Sequence, residues 1–143
     1  TFVRELGIRP RIAMVSFSNF GSAKHSEARR MADATDLVRV ADPDLEIDGE
    51  MQADTAVDAI KLRNTYPFTR LKGPANVLIF PRLSAANAAY KLLDHLGGAD
   101  AIGPILLGMA KPVHVLERGC SAQSVVNLAT IASVDCQARK NHI

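Results

Sequence analysis

The chain reads as an α/β domain, a three-layer α/β/α sandwich around a mostly parallel sheet. Three observations predict it. Short apolar runs of strand length alternate with segments of helical period along most of the 143 residues. The runs read as near-continuous hydrophobic stretches, the mark of strands covered on both faces. The segments between them are long enough to cross from one parallel strand to the next.

Arg11–Phe17 (RIAMVSF) is the first such run, and it ends in the small polar loop Ser18–Asn19–Phe20–Gly21–Ser22. From Ser26, a plausible N-cap, to Val40 the pattern turns helical, with Ala28, Met31, Thr35 and Val38 on one face, and Asp42–Pro43 ends it. Leu45–Asp48 reads as a second strand, followed by Gly49 and a short helix over 52–62. Arg63–Pro74 holds two prolines and a glycine and reads as an irregular surface connection. Asn76–Phe80 is the strongest strand candidate, stopped by Pro81. A helix then runs from Ser84 to Leu96 with Ala85, Ala89, Leu92 and Leu96 as its stripe, and Gly97–Gly98 terminates it. Ala101–Leu107 and Pro112–Leu116 are two further strand-like runs. Ser121 caps a last helix to about Ala138, carrying Val125, Leu128, Ala132 and Cys136 inward, and the polar tail 139–143 is expected to fray.

Composition narrows the function classes. Hydrophobic residues make up 48% and charged residues 22%, which excludes a disordered or fibrous chain. A domain of this size buries roughly 68–70% of its unfolded surface, enough for a core without staples. Seventeen basic against fifteen acidic residues leave a net charge of +2. The densest basic cluster, Lys24, Arg29 and Arg30, is diluted by Glu27 and Asp33, so nucleic acid is not an expected partner. No apolar run reaches the roughly 18 residues that span a bilayer, so no membrane partner is expected either. Cys120 and Cys136 lack companions at zinc spacing and read as reduced thiols of a cytoplasmic protein. The chain opens at Thr1 rather than at a methionine, and we expect it to be part of a longer polypeptide.

In an open parallel sheet, ligands bind beyond the carboxyl ends of the strands, and that rule selects three loops. In the first, Gly21 lets the backbone approach a ligand, Ser18 and Ser22 offer hydroxyls, and Asn19 lies between them. In the second, the carboxylates of Asp48, Glu50 and Asp54 could bind a metal, but they read better as caps of the next helix, and no metal site is assigned. In the third, Arg118 and Gly119 precede Cys120 and the serine-capped helix at Ser121, an arrangement suited to an anionic group. Cys120 has no histidine placed to act as its base and reads as a small packed residue. Asn87 and Lys91 lie one helical turn apart after Pro81 and are weaker candidates, and the four histidines show no ligand spacing.

The segments FSNFGSA (17–23), IDGEMQAD (47–54), NVLIFPRLSAANAAYKLL (76–93), AIGPILLGMAKPV (101–113) and RGCSAQSVVN (118–127) together resemble the carboxyl-terminal portion of phosphate acetyltransferases. These enzymes move acetyl between coenzyme A and phosphate. The resemblance implies the isocitrate dehydrogenase-like fold of that family and gives the chain, 1–143, as the C-terminal part of such a domain. It also implies that Arg118 matches the family's substrate-binding arginine. Two positions depart from it. Glu117 stands where the family carries serine, and Ser124 stands where it carries the aspartate taken as catalytic base. A hydroxyl accepts no thiol proton near neutral pH, so no catalytic residue is assigned.

With NFGS in the first loop, the combination is similar to the phosphotransacetylase-like tail of hybrid NADP-dependent malic enzymes. That resemblance implies a regulatory domain that binds acetyl-CoA as an inhibitor and self-associates. Ser18, Asn19, Gly21, Ser22, Asn87, Arg118, Gly119, Cys120 and Ser121 would line its site. No cofactor is then expected on this chain; NADP and magnesium or manganese would belong to a malic-enzyme region outside it. The alternative is a working phosphate acetyltransferase, making acetyl phosphate and coenzyme A from acetyl-CoA and phosphate.

Overall fold

The computed structural model describes residues 2–140, in two compact units: Pro10–Lys91, and Thr1–Arg9 with Leu92–Ile143. The unit Pro10–Lys91 is built on a three-stranded parallel sheet of β1 (Arg11–Val15), β2 (Glu46–Met51) and β3 (Val77–Ile79), in the order β2–β1–β3. Between β1 and β2 runs α2 (Ser26–Ala41); between β2 and β3 run α3 (Ala53–Val57) and α4 (Ala59–Thr65).

Side chains of β1 alternate between two cores, as a period of two requires. Met14 packs with Leu45, Ile47 and Met31 of α2, with Ile12, Ala34 and Val38 alongside. Ala13 points the other way and packs with Met51, Ala56 of α3, Leu62 of α4 and Leu71. Helices therefore cover both faces, which gives the three layers predicted from the apolar runs. The α2 face reads as expected, with Ala28, Met31 and Thr35 buried. Its cap differs: His25, not Ser26, is the N-cap, and its Nδ1 accepts from the Glu27 N–H at 3.1 Å. The helix predicted over 52–62 is broken at Asp58. That residue is extended, and its carboxylate caps α4 by accepting from the Ile60 and Lys61 N–H groups.

The register of β2 against β1 shifts after Met14–Gly49, so Glu50 bulges out and Val15 pairs with Met51. Gly49 sits at φ +144°, and a Cβ there would lie 2.7 Å from the Met14 carbonyl oxygen. Only glycine fits this contact.

In the other unit, α1 (Phe2–Glu5) packs on α6 (Ala122–Lys140). Ser121 caps α6 as predicted, its Oγ accepting from the Ser124 N–H at 3.1 Å. The inward face differs from the predicted stripe. Leu128 is buried, but Val125 and Cys136 are exposed, and Asp135 is buried in an ion pair with Arg139. Arg139 is thus helical rather than frayed, and the rest of the expected tail, 141–143, lies outside the described residues. The runs 101–107 and 112–116 form no strands. A strand exists only with a ladder partner, none of the described residues pairs with them, and Pro104 and Pro112 carry no N–H to offer. Likewise α5 (Leu83–Gly97) buries none of its side chains fully: of the predicted stripe, Ala89 is half-buried and Ala85, Leu92 and Leu96 are exposed.

Candidate functional site

The loop after β1 is held by the bulged residue of β2. Glu50 is almost fully buried, and its Oε1 accepts from the Ser18 hydroxyl at 2.8 Å and from the Gly21 N–H at 2.7 Å. The Phe20 N–H donates to the Glu50 carbonyl at 2.8 Å. Ser18 is fully buried, and its Oγ also accepts from the Ala23 N–H at 3.0 Å. The Ser18 hydroxyl therefore shapes the loop. Asn19 also holds the loop: its Oδ1 accepts from the Gln52 N–H at 2.8 Å, and its own N–H donates to the Ser22 Oγ at 2.9 Å. Gly21, at φ +84° in open space, and Ser22 remain exposed.

Of the acidic segment 48–54, Asp48 and Glu50 lie within β2 and do not cap the next helix, contrary to the sequence expectation, while Asp54 lies in the first turn of α3. Gln52 is the N-cap of α3 and makes no side-chain cap bond. The carboxylates instead anchor loops. Asp48 accepts from Thr69 Oγ1 and the Arg70 N–H, at 2.7 and 2.6 Å, and pairs with Arg39. Glu46 accepts from the Lys72 N–H at 2.7 Å. Only Asp54 is exposed, where a 2.6 Å bond from Lys61 Nζ holds its carboxyl below the ordinary carboxylate range. No three His, Cys, Asp or Glu side chains come together as a metal site among the described residues. Nor is any helix there long and apolar enough to cross a membrane.

An open groove of about 880 Å³ runs from Phe20, Gly21 and Glu50 along the first turns of α2, past Lys24, His25 and Arg29. Arg29 and Arg39 there are paired with Asp33 and Asp36. The sequence expectation gave Glu50 no anchoring role, because it ended the strand at Asp48; β2 runs on to Met51, and a glycine inside a strand marks a bulge.

Asn87 lies exposed on α5, in the same unit as this loop. Arg118, Gly119, Cys120 and Ser121 belong to the other unit. There the Cys120 N–H closes a turn onto the Glu117 carbonyl at 3.2 Å, and α6 begins directly afterwards. Arg118 is exposed and makes no ion pair among the described residues. Cys120 is exposed too, not packed as expected. Ser124, in the first turn of α6, shares its hydroxyl with Ser121 at 3.0 Å. The turn thus offers a guanidinium fork, a hydroxyl and a helix start, a set of donors for an anionic group.

The parallel sheet with helices on both faces defines an α/β domain. The chain belongs to the phosphate acetyl/butaryl transferase family, whose model it matches over residues 1–133. It is 43% identical to the phosphate acetyltransferase of Acetivibrio thermocellus over 137 residues, covering 96% of this chain and 41% of that protein. It is equally 43% identical to the NADP-dependent malic enzyme of Escherichia coli over 139 residues, covering 96% of this chain and 18% of that one. The crystal structure of a phosphotransacetylase from Streptococcus pyogenes superposes with a TM-score of 0.87 at 40% identity, over 97% of this chain and 42% of that one. The chain thus spans about two fifths of the Acetivibrio thermocellus and Streptococcus pyogenes proteins.

Proposed function

We propose that this chain supplies the strand-end loops with which a phosphate acetyltransferase-type unit binds an acyl-coenzyme A thioester and phosphate. The activity proposed for the intact protein is acetyl transfer between the two. Family membership and the relatives named phosphate acetyltransferase support this reading. The observation that carries it is Arg118, an exposed guanidinium on the turn that opens the serine-capped α6. A planar fork beside helix N–H donors suits a phosphate or the oxygens of a thioester nucleotide. In the transfer, a phosphate oxygen attacks the thioester carbonyl and the sulfur leaves as thiolate. In the reverse direction, the thiol proton needs an acceptor. A cytoplasmic setting, with Cys120 and Cys136 reduced, goes with this reading.

A second reading is favoured by two observations. Ser124 offers a hydroxyl already bonded to Ser121, where the family resemblance places a carboxylate base. Glu117 adds a negative charge beside Arg118, which opposes an incoming phosphate. On this reading the domain binds acetyl-CoA without transferring it, as the self-associating regulatory part of an NADP-dependent malic enzyme. Acetyl-CoA then acts as effector by favouring one arrangement of the assembly.

Acetyl phosphate formation by the full-length protein separates the two. Turnover supports the first reading, whereas acetyl-CoA binding without turnover supports the second. Restoring a base with Ser124→Asp is expected to raise transfer by about 10²–10⁴-fold. No gain, with binding intact, would show that Ser124 does not limit the chemistry.

A further inference from the structure

The first N–H groups of a helix are ordinarily held by serine, threonine, aspartate or asparagine, whose oxygens go on accepting across the neutral pH range. At the start of α2 the acceptor is an imidazole nitrogen instead. His25 Nδ1 takes the Glu27 N–H at 3.1 Å, while the His25 carbonyl takes the Arg29 N–H at 2.9 Å. A ring nitrogen that accepts carries no proton, so the ring that makes this cap is neutral, with its hydrogen on Nε2. Histidine is the side chain whose ordinary change of charge falls between about pH 5 and 8. A proton on Nδ1 occupies the lone pair that the Glu27 N–H uses, and the cap ends. It also places a positive charge at the positive end of a 16-residue helix.

The carboxylates around His25 are already engaged. In the first turn of α2, Glu27 Oε2 receives Arg82 Nε from the turn after β3 at 2.8 Å, with Arg30 at 3.8 Å. Asp33 and Asp36, further along α2, pair with Arg29 and Arg39. Glu50 of β2, which lines the same groove as His25, holds the Ser18 hydroxyl and the Gly21 N–H. Lys24 and Arg29, on the chain either side, are basic. From the loop after β1, the Phe17 ring meets the imidazole edge-on with centroids 5.3 Å apart and carries no charge. We propose that His25 is a pH-sensitive latch between the loop after β1 and α2. Its neutral ring closes the first turn of α2; protonation opens that turn and loosens the wall of the groove that Lys24, His25 and Arg29 line.

The test is hydrogen exchange of the Glu27 amide in the full-length protein at about pH 8 and about pH 5, corrected for the intrinsic pH dependence of exchange. Loss of a cap acceptor should lower protection about 2- to 30-fold at the acid end in the wild type. His25→Asn keeps an acceptor that does not titrate, so its protection should stay level across the range. His25→Ala should be poorly protected at both ends. The 15N shifts of the His25 ring should show the Nε2–H tautomer at about pH 8. Level protection in the wild type, an equal fall in His25→Asn, or an Nδ1–H tautomer at the upper pH overturns the latch.

Discussion

Replacing Glu50 by alanine removes a buried β2 carboxylate that ties the loop after β1 to its neighbouring strand. The carboxylate accepts two bonds, from Ser18 Oγ at 2.8 Å and from the Gly21 N–H at 2.7 Å. A hydrogen bond to a charged group contributes about 1.5–3 kcal/mol, so the pair is worth about 3–6 kcal/mol. Removing a buried charge also returns part of its desolvation cost, which brings the net loss to about 2–4 kcal/mol. Ser18 keeps the Ala23 N–H as donor, whereas the Gly21 N–H loses the Glu50 carboxylate as its acceptor. Amide exchange reads the loss where it occurs. The Gly21 N–H should exchange about 30- to 1,000-fold faster in Glu50→Ala, while β1 amides change far less. Glu50→Gln, which keeps a neutral acceptor, should fall between the two. Unaltered exchange at Gly21 in Glu50→Ala would refute the claim that this carboxylate holds the loop.

Asp58→Ala removes the cap of α4 and should cost about 0.5–2 kcal/mol, measured as a lower urea midpoint. Asp54 makes a pH prediction. Its hydrogen bond from Lys61 lowers its folded pKa below the ordinary 3.8, so its contribution is present above that value and is lost as pH falls through the depressed one. Asp54→Asn should therefore leave stability near pH 7 slightly lower and make the acid limb less steep, with a small effect because the pair is exposed. An unchanged acid limb would contradict the pairing.

The sheet was legible because its signals are local. Arg11–Val15 and the α2 face could be read from period alone, since each residue's side follows from its spacing. The runs 101–107 and 112–116 carry the same apolar signal, but pairing is a property of the neighbour and not of the run. The break at Asp58 turned on a side chain choosing the next helix's N–H groups, which helical spacing does not display. The site divides the same way. The loop after β1 could be read from topology, and Gly21 and Ser22 are exposed there; Arg118 is exposed too, but among the described residues no strand directly precedes its turn. The direction of the Ser18 hydroxyl and the anchoring by Asp48 and Glu50 depend on contacts more than twenty residues apart. The bulge after Gly49 turns Glu50 out of the strand pairing, and spacing in the acidic segment did not reveal it.

Acetyl-CoA binding to the full-length protein carrying Arg118→Ala tests most directly whether these loops take an acyl thioester. Loss of a guanidinium that engages the ligand should weaken binding about 10- to 100-fold, with Arg118→Lys retaining part of it as a point charge. Equal affinity in wild type and Arg118→Ala would contradict the account.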